Sequence, residues 1–222
     1  MDSVTPKAIT GRVKTIDNFQ VLSRQQAAPN FLQITLQCQN PYQTTSDESQ
    51  SECVVDFVCL EDKKFPLHWG SANTAQIYVH ENQASLFTVL AQLCVQRQSW
   101  LWQSDVQILL MNALSVFHLP SILQQLEQSQ SASSLRDSLI VIAESEHTWP
   151  FRPAPSRLVL PYVPSDVIAC IPLLEDKGIP SRLCHTEMQP GCFEGSTDEL
   201  LTNAVLPSLT KKNVVPEIIK IV

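Results

Sequence analysis

Glu144, Glu146 and His147 follow directly on the apolar run Leu139–Ala143 (LIVIA). Two carboxylates and an imidazole at that spacing can hold a divalent metal or act as an acid–base set. In open α/β sheets ligands sit beyond the carboxyl ends of strands, and this run is the most strand-like in the chain. These three are the candidate catalytic residues, set against the plainer reading of a polar loop after a strand. Cys184, His185 and Cys192, with Cys170 nearby, invite comparison with a zinc site. The pattern C-H-x6-C lacks the paired cysteine spacing that closes a zinc tetrahedron, and neighbours along a strand point to opposite faces. No metal and no cofactor is expected. Trp100 and Trp102 lie in SWLWQS (99–104), on one side of the chain if it is extended. An exposed pair would be an interface hot spot; a buried pair would cap a core. They are the candidate interface residues.

Other catalytic signatures are absent. There is no G-x-S-x-G, no H-E-x-x-H and no G-x-x-x-x-G-K-[ST]. Gly70-Ser71-Ala72-Asn73-Thr74 is no phosphate loop. The run Ser138–Arg152, SLIVIAESEHTWPFR, is similar to the strand that carries the nucleotide-site acid in recombinase-type ATPases, with Ala143 and Glu144 at its end. Without a partner phosphate loop, the resemblance implies a pseudo-ATPase subunit rather than a working ATPase.

The elements that must position these residues change character along the chain. Leu32, Ile34, Leu36 and Cys38 alternate with polar residues, the mark of a half-buried strand. Residues 53–60, CVVDFVCL, form a second strand, apolar on both faces except at Asp56. Between them NPYQTTSDESQSE reads as a long loop, and residues 11–23 supply one or two more strands. From about residue 70 strands and helices alternate. Ala75–His80 and Val106–Met111 read as strands, and Leu86, Leu90 and Leu93 predict a helix over 84–97. Pro120 opens a helix bearing Ile122, Leu123 and Leu126. SQSASS is a polar linker before the LIVIA strand. Arg157–Val163 is a strand candidate limited to an edge by Pro161. Ser165 caps a helix through Val167, Ile171 and Leu174, with Pro172 in conflict. Ser181–His185 is a strand, Ser196 with Glu199 forms a capping box, and Val214–Val222 is a final strand.

The expected fold is therefore α/β: a small N-terminal antiparallel β-sheet (1–65), then a three-layer α/β unit with a mostly parallel sheet (70–222). The two regions could also form one continuous domain.

Composition narrows the function. The chain has 222 residues, a net charge of −7 and 17 % charged residues, which excludes a disordered chain and a strongly basic nucleic-acid binder. Five glycines make phosphate-cradling loops scarce, since an average chain of this length has roughly 15. Seven cysteines, an odd number without a C-x-x-C, suggest free thiols in a reducing compartment, cytoplasmic or nuclear. No signal peptide or membrane span is expected. The expectation is a non-catalytic subunit or adaptor of an intracellular complex, acting through protein partners at Trp100, Trp102 and an exposed sheet edge. Two alternatives stand beside it. One is a nucleic-acid-associated factor in genome maintenance, pseudo-ATPase-like or with an OB-like barrel whose basic residues are Arg12, Lys14, Arg24, Lys63 and Lys64. The other, less favoured, is an enzyme using Glu144, Glu146 and His147.

Overall fold

The computed structural model describes residues 12–17, 19–38, 52–60, 62–70, 73–87, 92–102, 106–129 and 132–221. Residues 40–51 of the expected loop, Leu90 and the first eleven residues lie outside this set. The chain divides into two compact units. One comprises Ile9–Trp102 and Phe117–Gln130; the other comprises Met1–Ala8, Gln103–Val116 and Ser131–Val222.

The first unit is a seven-stranded antiparallel sheet. Its strands are β1 (Arg12–Asp17), β2 (Phe19–Ala28), β3 (Phe31–Cys38), β4 (Glu52–Leu60), β5 (Lys63–Trp69), β6 (Thr74–His80) and β7 (Gln92–Leu101), in the order β1-β7-β4-β5-β6-β3-β2. β1 and β2 are separated by a single residue yet stand at opposite ends of that order. The sheet therefore curls on itself towards a barrel, which protects its edges. Ile34, Leu36, Phe65, Ile77, Leu93 and Val95 fill the interior. The alternation seen in β3 is the observed one, with Ile34, Leu36 and Cys38 buried. Helix α1 (Leu119–Gln128) belongs to this unit, with Pro120 in its first turn as expected, and it contacts β4.

The antiparallel sheet is larger than expected and runs to Leu101. The helix expected over 84–97 does not form. Glu81–Phe87 is a short 3-10 segment and Gln92–Leu101 is a strand. The apparent helical spacing of Leu86, Leu90 and Leu93 spans two elements, and from Leu93 to Arg97 the burial period is two: Leu93, Val95 and Arg97 are buried, Cys94 and Gln96 half-buried.

The second unit carries a five-stranded parallel sheet in the order β13-β12-β9-β8-β14. These strands are β8 (Gln107–Asn112), β9 (Leu139–Ser145), β12 (Ser181–His185), β13 (Phe193–Glu194) and β14 (Glu217–Ile221); β10 (Ala154–Pro155) and β11 (Ala169–Cys170) form a separate short pair. Helix α2 (Ala132–Ser138) leads into β9. Arg157–Val163 is not a strand, and the helix expected from Ser165 is reduced to α3 (Pro172–Glu175). Pro172 starts that helix, where a missing N–H is harmless, which removes the conflict seen in the sequence. Gly178 follows with φ 75°, a left-handed residue that closes the segment. The capping box is present. Ser196 Oγ accepts from Glu199 N at 3.2 Å, and Ser196 N donates to Glu199 Oε2 at 2.8 Å. It opens α4 (Thr197–Leu200), which continues through a π turn (Leu201–Val205) into α5 (Leu206–Thr210).

The fold is thus α/β, with a large curled antiparallel sheet and a parallel sheet. Among the described residues no helix is long and apolar enough to cross a membrane. Replacing the cap tests the helix start: S196A should cost about 1 kcal/mol in urea unfolding and S196G only a few tenths, because glycine leaves the N–H groups open to water. Equal losses would contradict that role.

Candidate functional site

The three residues expected to do chemistry do not converge. Glu144 is half-buried, and its Oε2 accepts from Thr197 N at 2.8 Å and from Thr197 Oγ1 at 2.9 Å. A carboxylate at a helix N-terminus is stabilised by the exposed N–H groups and the dipole, so Glu144 fills the anion seat of α4. Glu146 and His147 are exposed on the loop that follows. His147 N donates to Ser145 Oγ, and His147 Nδ1 lies 2.8 Å from Glu146 O. Cys184 is buried, which pushes its thiol well up. His185 is held between His147 O, 2.6 Å from Nε2, and Glu187 O, 3.0 Å from Nδ1. The turn after β8 is closed by its own side chains: Ser115 N donates to Asn112 Oδ1, and Asn112 N to Ser115 Oγ, both at 2.8 Å.

Trp100 and Trp102 share one face, as their spacing predicts, but that face is covered. They are 6 % and 8 % exposed, and their rings meet edge to face at 5.7 Å. The expectation that they form an exposed contact surface is corrected on this ground.

A different set of residues does come together, in the barrel unit. β4 and β5 pair from Leu60↔Lys63 to Asp56↔Leu67 and no further. Beyond Leu67, β5 pairs with β6 instead, through His68↔Gln76 and Trp69↔Ala75. β5 thus changes partner at Leu67, and Pro66 sits where only β4 accompanies it, which suits a residue without an N–H. Past this point β4 and β5 part, and side chains bridge the gap. Gln125 of α1 takes the place of a strand partner: Val54 N donates to its Oε1 at 2.8 Å, and its Nε2 donates to Val54 O at 2.9 Å. Trp69 Nε1 donates to Asp56 Oδ2 at 2.9 Å. Arg97, opposite Asp56 on β7, forks onto the same carboxylate, Nε to Oδ1 at 2.8 Å and Nη2 to Oδ2 at 2.9 Å.

The parting leaves a cavity of about 400 Å³, lined by Asp56, His68, Trp69, Arg97, His118 and Gln124 among others. That volume falls within the range of about 300–1,000 Å³ typical of small-molecule sites. Its charges are internally matched, since Asp56 and Arg97 are a buried pair. His118 is 1 % exposed, its ring edge-to-face on Phe57 at 4.6 Å and 5.4 Å from His68. Nε2 of His118 and Nε2 of His68 are buried without a hydrogen-bond partner among the described residues. Burial, then the neighbouring His68, pushes His118 well below the usual imidazole value, and burial lowers His68. Burial therefore favours the neutral form of both rings. The cavity therefore offers two uncharged imidazoles, an indole, amide groups and no net charge. Of these residues the sequence signalled only Asp56, the polar interruption in CVVDFVCL; His68, Arg97 and His118 become neighbours through strand register and the position of α1.

No protein-family model matches the chain, and no curated protein matches it. Solved structures of similar chain course include the ferredoxin reductase in carbazole 1,9a-dioxygenase, at 9 % identity and TM-score 0.46, with 94 % of this chain covered. This chain spans 61 % of that reductase's length. The flavohem-like FAD/NAD-binding domain of nitric oxide dioxygenase from Vibrio cholerae O1 biovar El Tor matches at 8 % identity and TM-score 0.46, over 93 % of this chain and 98 % of that one. The cytochrome b5 reductase domain of Ulva prolifera nitrate reductase matches at 6 % identity and TM-score 0.45, over 98 % and 87 %. At these scores no chemistry passes from them to this chain. The expectation of a non-catalytic adaptor, or of a complex subunit working through protein contacts at Trp100 and Trp102, is corrected on the burial of those tryptophans.

Two measurements check the electrostatics of the cavity. D56A removes the carboxylate onto which the buried Arg97 guanidinium forks and should cost about 3–5 kcal/mol; D56A/R97A should cost clearly less than the two single losses together. Additive losses would contradict the pairing. The second concerns pH. The folded values of His118 and His68 lie below the unfolded value of about 6.5, so below that pH the unfolded chain binds more protons and stability falls with acid. H118Q should flatten that dependence below about pH 6.5; an unchanged slope would place a charged imidazole in the folded state.

Proposed function

We propose that the chain binds a small, uncharged, planar nitrogen heterocycle in the barrel cavity between β4, β5 and α1. The observation that carries this reading is His118: a neutral imidazole, almost wholly buried on a cavity wall, whose Nε2 has no partner among the described residues. A buried polar atom left unpaired costs about 1–3 kcal/mol, and a ligand group that pairs with it recovers that cost. His68 offers a second such atom, Trp69 a flat apolar face, and Gln124 an amide at the rim. With Asp56 and Arg97 neutralising each other, a charged ligand finds no counter-ion here.

A flavin ring belongs to this ligand class: it is planar and carries ring N–H and C=O groups. The FAD named for the Vibrio cholerae domain makes flavins the natural first probes, while the reading itself rests on the cavity. A flavin would supply electron-transfer chemistry when bound. The residues of this chain would orient its ring and exclude water, and the imidazoles would hydrogen-bond its polar edge. The second unit fits a dinucleotide phosphate less well. In nucleotide-binding α/β folds, the pyrophosphate sits at a glycine-rich turn and a helix N-terminus. Here the turn after β8 is closed by Asn112 and Ser115, and Glu144 occupies the N-terminus of α4.

Lumiflavin, FMN and FAD should each be titrated into the full chain, following flavin and tryptophan fluorescence. Saturable binding is expected, weakened about tenfold or more (1.4 kcal/mol) in Q124W, which fills the rim from an exposed helix position. The melting temperature of Q124W should match that of the parent. No saturable binding of any of the three, to a folded chain, would overturn the flavin reading.

A further inference from the structure

The barrel places two cysteines directly opposite each other on neighbouring strands. In the β4–β7 ladder Cys59 stands opposite Cys94, and among the described residues no other register pair joins two cysteines. Val58, Leu93 and Val95 point into the barrel core, so their neighbours Cys59 and Cys94 point outward, in a row with the exposed Thr15 on β1 and Lys64 on β5. Both cysteines are free and half-buried, unlike the buried Cys38, Cys53, Cys170 and Cys184. Directly opposed residues of an antiparallel pair have Cβ atoms about 4.5–5.5 Å apart, and a disulfide needs about 3.5–4.5 Å, so a small approach of two strands already hydrogen-bonded together suffices. Burial, then Cys94, raise the Cys59 thiol, while the Lys64 ammonium opposes them.

We propose that Cys59 and Cys94 form a redox-active dithiol that a hydroperoxide converts to a disulfide. In the first step the thiolate of one cysteine attacks the peroxide oxygen. An S–O bond forms, the O–O bond breaks, and the alkoxide or hydroxide leaves as an alcohol or water after taking a proton. In the second step the other thiolate attacks the sulfenic sulfur. The S–S bond forms, the S–O bond breaks, and hydroxide leaves as water. Two thiols are oxidised by two electrons, and one hydroperoxide is reduced. The product ties β4 to β7 three register positions from Asp56↔Arg97, locking the strand pair that forms the charged floor of the cavity.

The full chain, treated with hydrogen peroxide and then with an alkylating agent, tests this by intact mass and peptide mapping. The expected result is the loss of two alkylatable thiols out of seven, the mass falling by two hydrogens before alkylation. A single linked peptide pair should contain Cys59 and Cys94, and dithiothreitol should reverse the change. C59S and C94S should each abolish the link, and C94A should behave as C94S. Links through Cys192 or another cysteine at equal yield, over-oxidation without a link, or persistence of the mass change in C59S would overturn the proposal.

Discussion

A carboxylate buried among apolar residues is costly unless its charge and lone pairs are met, and Asp56 meets this requirement through three donors. Arg97 supplies two from the facing strand, and the Trp69 indole supplies the third. That demand shapes the surroundings. It holds Asp56 opposite Arg97 in the β4–β7 register, and it draws Trp69 over the end of β4, where β5 has already turned to β6. The opening between β4 and β5 lies beside this charge network, and α1 stitches its other side through Gln125 and Val54.

The polar groups that stood out in each unit are used differently. In the parallel-sheet unit the conspicuous polar residues are spent on the chain itself. Glu144 caps a helix, Asn112 and Ser115 close a turn, and His185 joins the His147 carbonyl at Nε2 to the Glu187 N–H at Nδ1. In the barrel unit His68 and His118 keep buried ring nitrogens without protein partners beside a cavity. Polar groups left incomplete where there is room for a ligand are the physical signature of a binding site, since a buried donor or acceptor is rarely left unpaired without a reason.

Much of the fold was legible in the residues. The alternation of β3, the apolar runs of β8 and β9, Pro120 at the start of α1 and the Ser196–Glu199 box all read correctly, because each is encoded locally. β7 did not: a strand followed a 3-10 segment, and leucines from both elements mimicked helical spacing. The curling of the sheet was equally hidden, since β1, next to β2 in sequence, pairs with the distant β7. The candidate site was legible only at Asp56. Glu144, Glu146 and His147 stood out because they are close in sequence, yet the fold sends Glu144 to a helix end and leaves the other two in solvent. Arg97 and His118 lie 41 and 62 positions from Asp56, and only register and packing unite them. Trp100 and Trp102 show the limit of composition, which supplies a pair of aromatic rings but not which face of the sheet is covered.

The central claim is that neutral imidazoles in the barrel cavity await a flat ligand. Long-range proton–nitrogen spectra of the histidine side chains, recorded on the labelled 222-residue chain at about pH 6 with and without lumiflavin, test it directly. The account predicts that His118 is neutral in the free protein and that lumiflavin shifts His118 and His68 while His147 and His185 stay in place. A protonated His118 at that pH, or shifts confined to His147 and His185, would contradict it.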